Sequence, residues 1–144
     1  MVLKNHMKFP RSAYDKVGGM VYFPRMLEKI RLHAAGELPS DYHANLGRAM
    51  DLRTCRFLHV EYAAVAEQVR AGATDEAVWQ WCAQHGRVLN EIDLIIYNGF
   101  STKRGLKDEV SEELEESKKK SGLGGRADIQ TFFDYFDADE KRRP

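Results

Sequence analysis

The chain has 144 residues, with 22 Lys/Arg against 22 Asp/Glu, 43% apolar and 31% charged. These values fit one globular domain with a sizeable core, and a formal net charge of zero argues against a dedicated nucleic-acid binder. No window reaches the ~18 apolar residues of a membrane span and the N-terminus has no apolar run of signal-peptide length, so a cytoplasmic protein without a membrane partner is expected.

The charge is uneven. Residues 1–36 hold seven Lys/Arg against Asp15 and Glu28, whereas residues 128–140 hold five acids and no base. The two ends should attract each other, within the molecule or between copies of a homodimer. Residues 1–11 and 141–144 are expected to be loose ends of a single helical domain spanning 1–144.

Strand signals are confined to Met20-Val21-Tyr22-Phe23, between Gly18-Gly19 and Pro24. A helix opens at Pro24, with Met26, Leu27, Ile30 and Ala34 on one face and Gly36 as its stop. Its polar side carries Arg25, Glu28, Lys29 and His33. Residues 37–50 contain Pro39, Ser40, Asp41, Asn45 and Gly47 and read as a long connecting loop, of the kind that is often functional.

Asp51 then caps a short helix through Leu58, and a second runs from about Glu61 to Ala71. Thr74 caps the next, with Asp75 and Glu76 in its first turn and Gly86 at its end. Asn90, followed three residues later by Asp93, starts a helix through about Lys103. It is so rich in apolar residues (Ile92, Leu94, Ile95, Ile96, Tyr97, Phe100) that it is expected to be the central, most buried one. Leu106, Val110 and Leu114 form a narrow stripe on a charged segment whose acids lead and whose Lys118–Lys120 trail, with Glu115–Lys119 and Glu116–Lys120 as pairs. After Gly122, Gly124 and Gly125 comes a final helix with Phe132, Phe133 and Phe136 on one face. That stripe reads as core packing, or as a detachable helix on a glycine hinge. The fold class is therefore all-α, with six or seven helices and a short extended segment near residues 20–23.

Gly18-Gly19, Pro24-Arg25, Lys29, Arg31, Gly36, Asp41-Tyr42, Thr74-Asp75-Glu76 with Trp81, and Asp128-Ile129-Gln130-Thr131-Phe132-Phe133-Asp134 carry a resemblance. On these residues the chain resembles an uncharacterised bacterial family, a domain of unknown function, over roughly Ser12 to Glu140. Relatives in that family carry a Cys-Pro-Leu-Asp-like stretch where Arg48-Ala49-Met50-Asp51 stands here, so no role for such a thiol carries over. The resemblance implies a compact helical domain and no particular chemistry, cofactor or substrate.

Two functional classes follow. In the first, a binding module holds an anionic small molecule or an acidic partner, with Tyr22, Arg25 and Lys29 on the basic segment and Asp41, Tyr42 and His43 on the loop. A di-glycine before a helix can present backbone N–H groups to an anion, and arginine and lysine supply the fork and the point charge. In the second, an enzyme acts on a small anionic metabolite, with a loop Asp, Tyr or His moving protons. The motif is neither a P-loop nor a Rossmann fingerprint, and no cofactor is predicted. Cys55 with His59 and Cys82 with His85 have helical spacings that zinc can use, but no close Cys pair opens such a site. They read as reduced thiols in the core, and no metal is predicted.

Overall fold

The structure, a computed structural model, describes residues 6–144. Its first element is a minimal hairpin, in which β1 (Lys16–Val17) pairs antiparallel with β2 (Met20–Val21). Gly18 and Gly19 make the turn with φ of 59° and 80°, the left-handed geometry that two-residue hairpins need and glycine adopts at least cost. Gly18 also lies against the Trp79 ring, so that a Cβ there would sit 2.1 Å from it. The extended segment expected at residues 20–23 is thus the second strand of a hairpin and ends at Val21, because Phe23 already belongs to α1 (Phe23–Ala34).

Six more helices follow: α2 (Met50–Leu58), α3 (Tyr62–Arg70), α4 (Asp75–His85), α5 (Glu91–Lys103), α6 (Ser111–Lys120) and α7 (Phe132–Asp139). The fold is all-α, as expected. The segment 37–50 is not plain loop, since Ser40–Asn45 form a 3-10 helix. The capping signals are realised in three places. Thr74 accepts from the Ala77 N–H, Asn90 and Asp93 form a reciprocal capping box, and Thr131 accepts from the Asp134 N–H.

The core sits around α1. Phe23, Met26, Leu27 and Ile30 are fully or almost fully buried, together with Val65 from α3, Val78 and Cys82 from α4 and Phe133 from α7. Burying side chains of this size stabilises by ~1.5–3 kcal/mol each. Phe133 stacks on Tyr22 at 6.1 Å and meets Tyr14 edge-on at 5.3 Å, which locks α7 to the start of the chain.

Two expectations about helices need correction. Helix α5 is not the most buried helix. Its inner side uses Leu94, Tyr97, Asn98 and Ser101, and Asn98 clasps the hairpin through Gly19 O and Val21 N–H. Ile92, Ile95, Ile96 and Phe100 face solvent. A helix apolar all round reads as central, but this one lies along an edge of the domain with half of its apolar surface uncovered. In α6 the working cation is Lys118, which is buried and bonds Glu115, Arg126 O and Ile129 O, in place of the expected Lys119 and Lys120 pairs.

The ends carry contacts too. Of the expected loose N-terminus, residues 1–5 lie outside the described part. Lys8 N–H bonds Glu37 O at 2.8 Å, and the Arg11 side chain bonds Asp15 and Asp75. At the other end Arg142 bonds Pro10 O and Glu140, and Arg143 bonds Asp134 at 3.1 Å. Among the described residues, one pair joins the two oppositely charged ends within the molecule: Arg25 of the basic end meets Glu140 of the acidic one.

Candidate functional site

A cavity of about 500 Å³ opens between α1, the 3-10 segment, the start of α2 and α7, with the end of α5 and one side of α6 closing it. Five of the six residues singled out in the sequence line it: Tyr22, Arg25, Lys29, Asp41 and Tyr42. His43 does not. Its Nε2 pairs with Leu38 O at 3.0 Å and its ring packs edge-on against His33 at 4.7 Å, away from the cavity.

The two cations of α1 already have carboxylate partners. Arg25 donates to both Glu140 oxygens, at 2.8 and 2.7 Å, and to Arg11 O at 3.0 Å. Tyr42 OH donates to the same carboxylate at 2.5 Å. Burial alone would raise the Glu140 carboxyl, but the Arg25 bonds and charge, with donors from Tyr42 and Arg142, hold it below the ordinary glutamate value. Burial pushes the Tyr42 phenol well up, and the Glu140 carboxylate pushes it further.

Lys29 lies deeper. Its Nζ stands 2.8 Å from Asp51 Oδ1 and donates to Tyr22 OH at 2.9 Å, and Tyr22 OH donates to Asp51 at 2.6 Å. The other Asp51 oxygen accepts from the Gly47 N–H at 3.0 Å. Asp51 is therefore not the cap of α2; it lies inside the helix, fully buried, and ties α2 to α1. Burial lowers the Lys29 ammonium against the opposing pull of Asp51, and burial with the Asp51 charge raises Tyr22 far above a free phenol.

Sequence reasoning passed over the basic groups that remain. Arg48, Arg53 and Arg104 line the same cavity. Arg104 is paired with Glu109 at 2.8 Å and Asp108 at 3.5 Å. Among the described residues, neither Arg48 nor Arg53 has a carboxylate within ion-pair distance. Burial, and then the nearby Arg104, depress the Arg53 guanidinium below its ordinary value. Both Arg53 and Arg104 stack on the Phe100 ring, at 5.0 and 5.1 Å. Asp139, also in the lining, is raised by burial and by its neighbours Glu140 and Asp41. The cavity lining thus holds both signs of charge, with Asp41, Glu113 and Asp139 beside the arginines.

Its backbone is strained at two lining positions. Tyr22 has φ 71° and Ala49 has φ 50° with ψ −118°, the latter a conformation that a Cβ disfavours. Such outliers cost of order 1–3 kcal/mol and gather at functional sites. In sequence, the signal was the run Arg48-Ala49-Met50-Asp51-Leu52-Arg53, which holds two of the cations and one of the strained residues.

A family model for a domain of unknown function, DUF5069, matches residues 7–142. The chain belongs to the DUF5069 family. The match covers the hairpin, all seven helices and every residue lining the cavity. No curated protein matches the chain. In this DUF5069 domain the two cysteines are free and buried. Cys55 Sγ rests 3.8 Å from Met26 Sδ, while His59 ends α2 in the left-handed region and His85 stacks on Trp81. Burial pushes both thiols up to about 12, with Asp51 adding to it at Cys55. Among the described residues no group of three or more His, Cys, Asp or Glu is arranged to hold a metal ion. No helix among them is long and apolar enough to cross a membrane.

Proposed function

We propose that this DUF5069 domain is a bacterial, cytoplasmic binding module that seats an anionic small molecule in the cavity. Arg48 and Arg53 make the direct contacts, and Arg25, Lys29, Tyr22 and Tyr42 hold the wall behind them. One observation carries the reading: two guanidiniums without carboxylate partners open on a 500 Å³ cavity. An arginine depressed by burial and by a like charge gains from any anion placed against it, and a guanidinium fork suits a phosphate or carboxylate. Asp41 and Asp139 in the same lining favour a ligand that also carries a donor or a cationic group.

The second reading is an enzyme acting on a small anionic metabolite. The Lys29–Tyr22–Asp51 cluster supports it, since three titratable groups share hydrogen bonds at the cavity wall. The same ligand seat serves both readings, and turnover of the bound compound separates them.

The test is a thermal-shift screen against phosphorylated and carboxylated metabolites, followed by calorimetry on any hit. A genuine ligand stabilises the protein by an amount that rises with the logarithm of its concentration above Kd, and Arg48→Ala and Arg53→Ala each weaken its binding by about tenfold or more. Lys16→Ala, far along the hairpin, serves as the control. A panel without a stabilising compound, or a hit indifferent to both arginines, overturns the proposal.

A further inference from the structure

Helix α5 leaves an apolar face uncovered. Ile92, Ile95 and Ile96 are 61, 59 and 60% exposed, Phe100 is 47% exposed, and Val88 beside the helix start is 76% exposed. Ile92, Ile95, Ile96 and Phe100 follow the three- and four-residue spacing of one helical face, and Val88 precedes the helix. Together they present roughly 600 Å² of apolar surface, the upper end for a monomer's largest patch and most of the ~800 Å² per partner of a standard interface. In the middle of the same face stands Gly99. A Cβ built there meets nothing within 4 Å, and Gly99 is not among the glycines with positive φ. Nothing inside the chain asks for glycine at that helix position, although glycine weakens a helix interior. A small residue on an exposed face lets another helix backbone come close.

We infer that α5 is the interface of a homodimer, packed antiparallel against α5 of a second copy. The helix is complementary to itself only in that direction. Its first turn carries Glu91 and Asp93, and its last turn carries Lys103. An antiparallel pair sets acids against bases at both ends and opposes the two helix dipoles; a parallel pair sets like against like. A two-fold axis between Ile96 and Gly99 seats Ile96 on Gly99 of the partner subunit and Ile95 opposite Phe100 of the partner subunit. It also brings the Glu91 turn to Lys103 of the partner subunit. This isologous arrangement closes at two chains. This arrangement does not use the attraction between the chain ends, whose one ion pair among the described residues, Arg25–Glu140, forms within the molecule. The face also borders the cavity through Phe100, on which Arg53 and Arg104 stack, so burial of that ring in the interface would steady both guanidiniums.

Light scattering coupled to size exclusion, run on the full chain over a concentration series, tests this. The expected mass is twice the 16.5 kDa of one chain. Ile96→Glu, at an exposed position, should give a monomer with an unchanged far-UV spectrum. Lys103→Glu should raise the dimer dissociation constant by about tenfold, since two symmetric contacts turn repulsive, and Glu91→Lys combined with Lys103→Glu should restore it. Three results overturn the inference: a wild-type monomer at every concentration, a dimer that survives Ile96→Glu, or a double charge reversal that fails to restore what Lys103→Glu loses.

Discussion

Replacing Glu140 with Gln removes one charge from the pair that joins α1 to the end of α7. Arg25 is 3% exposed and makes a two-pronged contact with this carboxylate, which also accepts from Tyr42. The variant strands a buried guanidinium. Removing one partner of such a pair costs ~3–5 kcal/mol, and the amide oxygen that remains puts the expectation at the lower end, about 3 kcal/mol. An unfolding entropy of ~2.1 cal/mol/K per residue over this length converts that into a Tm loss of about 10 °C. The pH dependence follows from the depressed Glu140 carboxyl. Because the folded value lies below the unfolded one, its stabilisation is complete well above the reference value of 4.5 and fades as pH falls through the folded value. Urea unfolding followed by circular dichroism should therefore show a gap of about 3 kcal/mol between the two proteins at pH 7 that narrows below pH ~4. A gap under about 1 kcal/mol, or one that stays constant with pH, would refute the reasoning, since either means that Glu140 does not act as a charge against Arg25.

Other substitutions probe other parts of the fold. Ala49→Gly relieves a φ of 50° and should raise stability by about 1 kcal/mol after the glycine entropy is counted, so a loss in urea unfolding would show that Ala49 is not strained. Gly18→Ala places a Cβ 2.1 Å from the Trp79 ring at a positive φ and should cost about 2 kcal/mol or more, with a matching change in tryptophan fluorescence. Phe133→Ala empties a site with no solvent exposure and should cost ~3–5 kcal/mol; truncation after Gly125 should abolish cooperative unfolding altogether. A truncated protein with intact cooperative melting would restore the reading of α7 as a detachable helix.

These tests reflect what the sequence could and could not convey. Capping chemistry is local, so Thr74, Asn90 with Asp93, and the stops near Gly72 and Gly86 mark helix ends that the structure keeps within a residue or two. Face selection was legible where apolar residues leave a polar remainder, as in α1, where Met26, Leu27 and Ile30 are buried. It failed in α5, where apolar residues surround the axis and only the position of the helix in the fold decides which of them meet water.

Charge pairing is the harder case. Arg25 and Lys29 stood out because their carboxylates are distant in sequence: Glu140 lies 115 residues from Arg25. Asp51 looked like an N-cap because a helix begins beside it, yet its oxygens are taken by Lys29, Tyr22 and Gly47. Composition counts as many acids as bases, so a free cation cannot be found until every carboxylate has been assigned. Once Glu140 goes to Arg25, Asp51 to Lys29, and Asp108 with Glu109 to Arg104, the cations of the cavity lining that remain without an ion pair among the described residues are Arg48 and Arg53. On the proposed binding reading Arg25 and Lys29 form the back of the site, and the residues that would touch a ligand are two arginines whose mark in the sequence is the short run from Arg48 to Arg53.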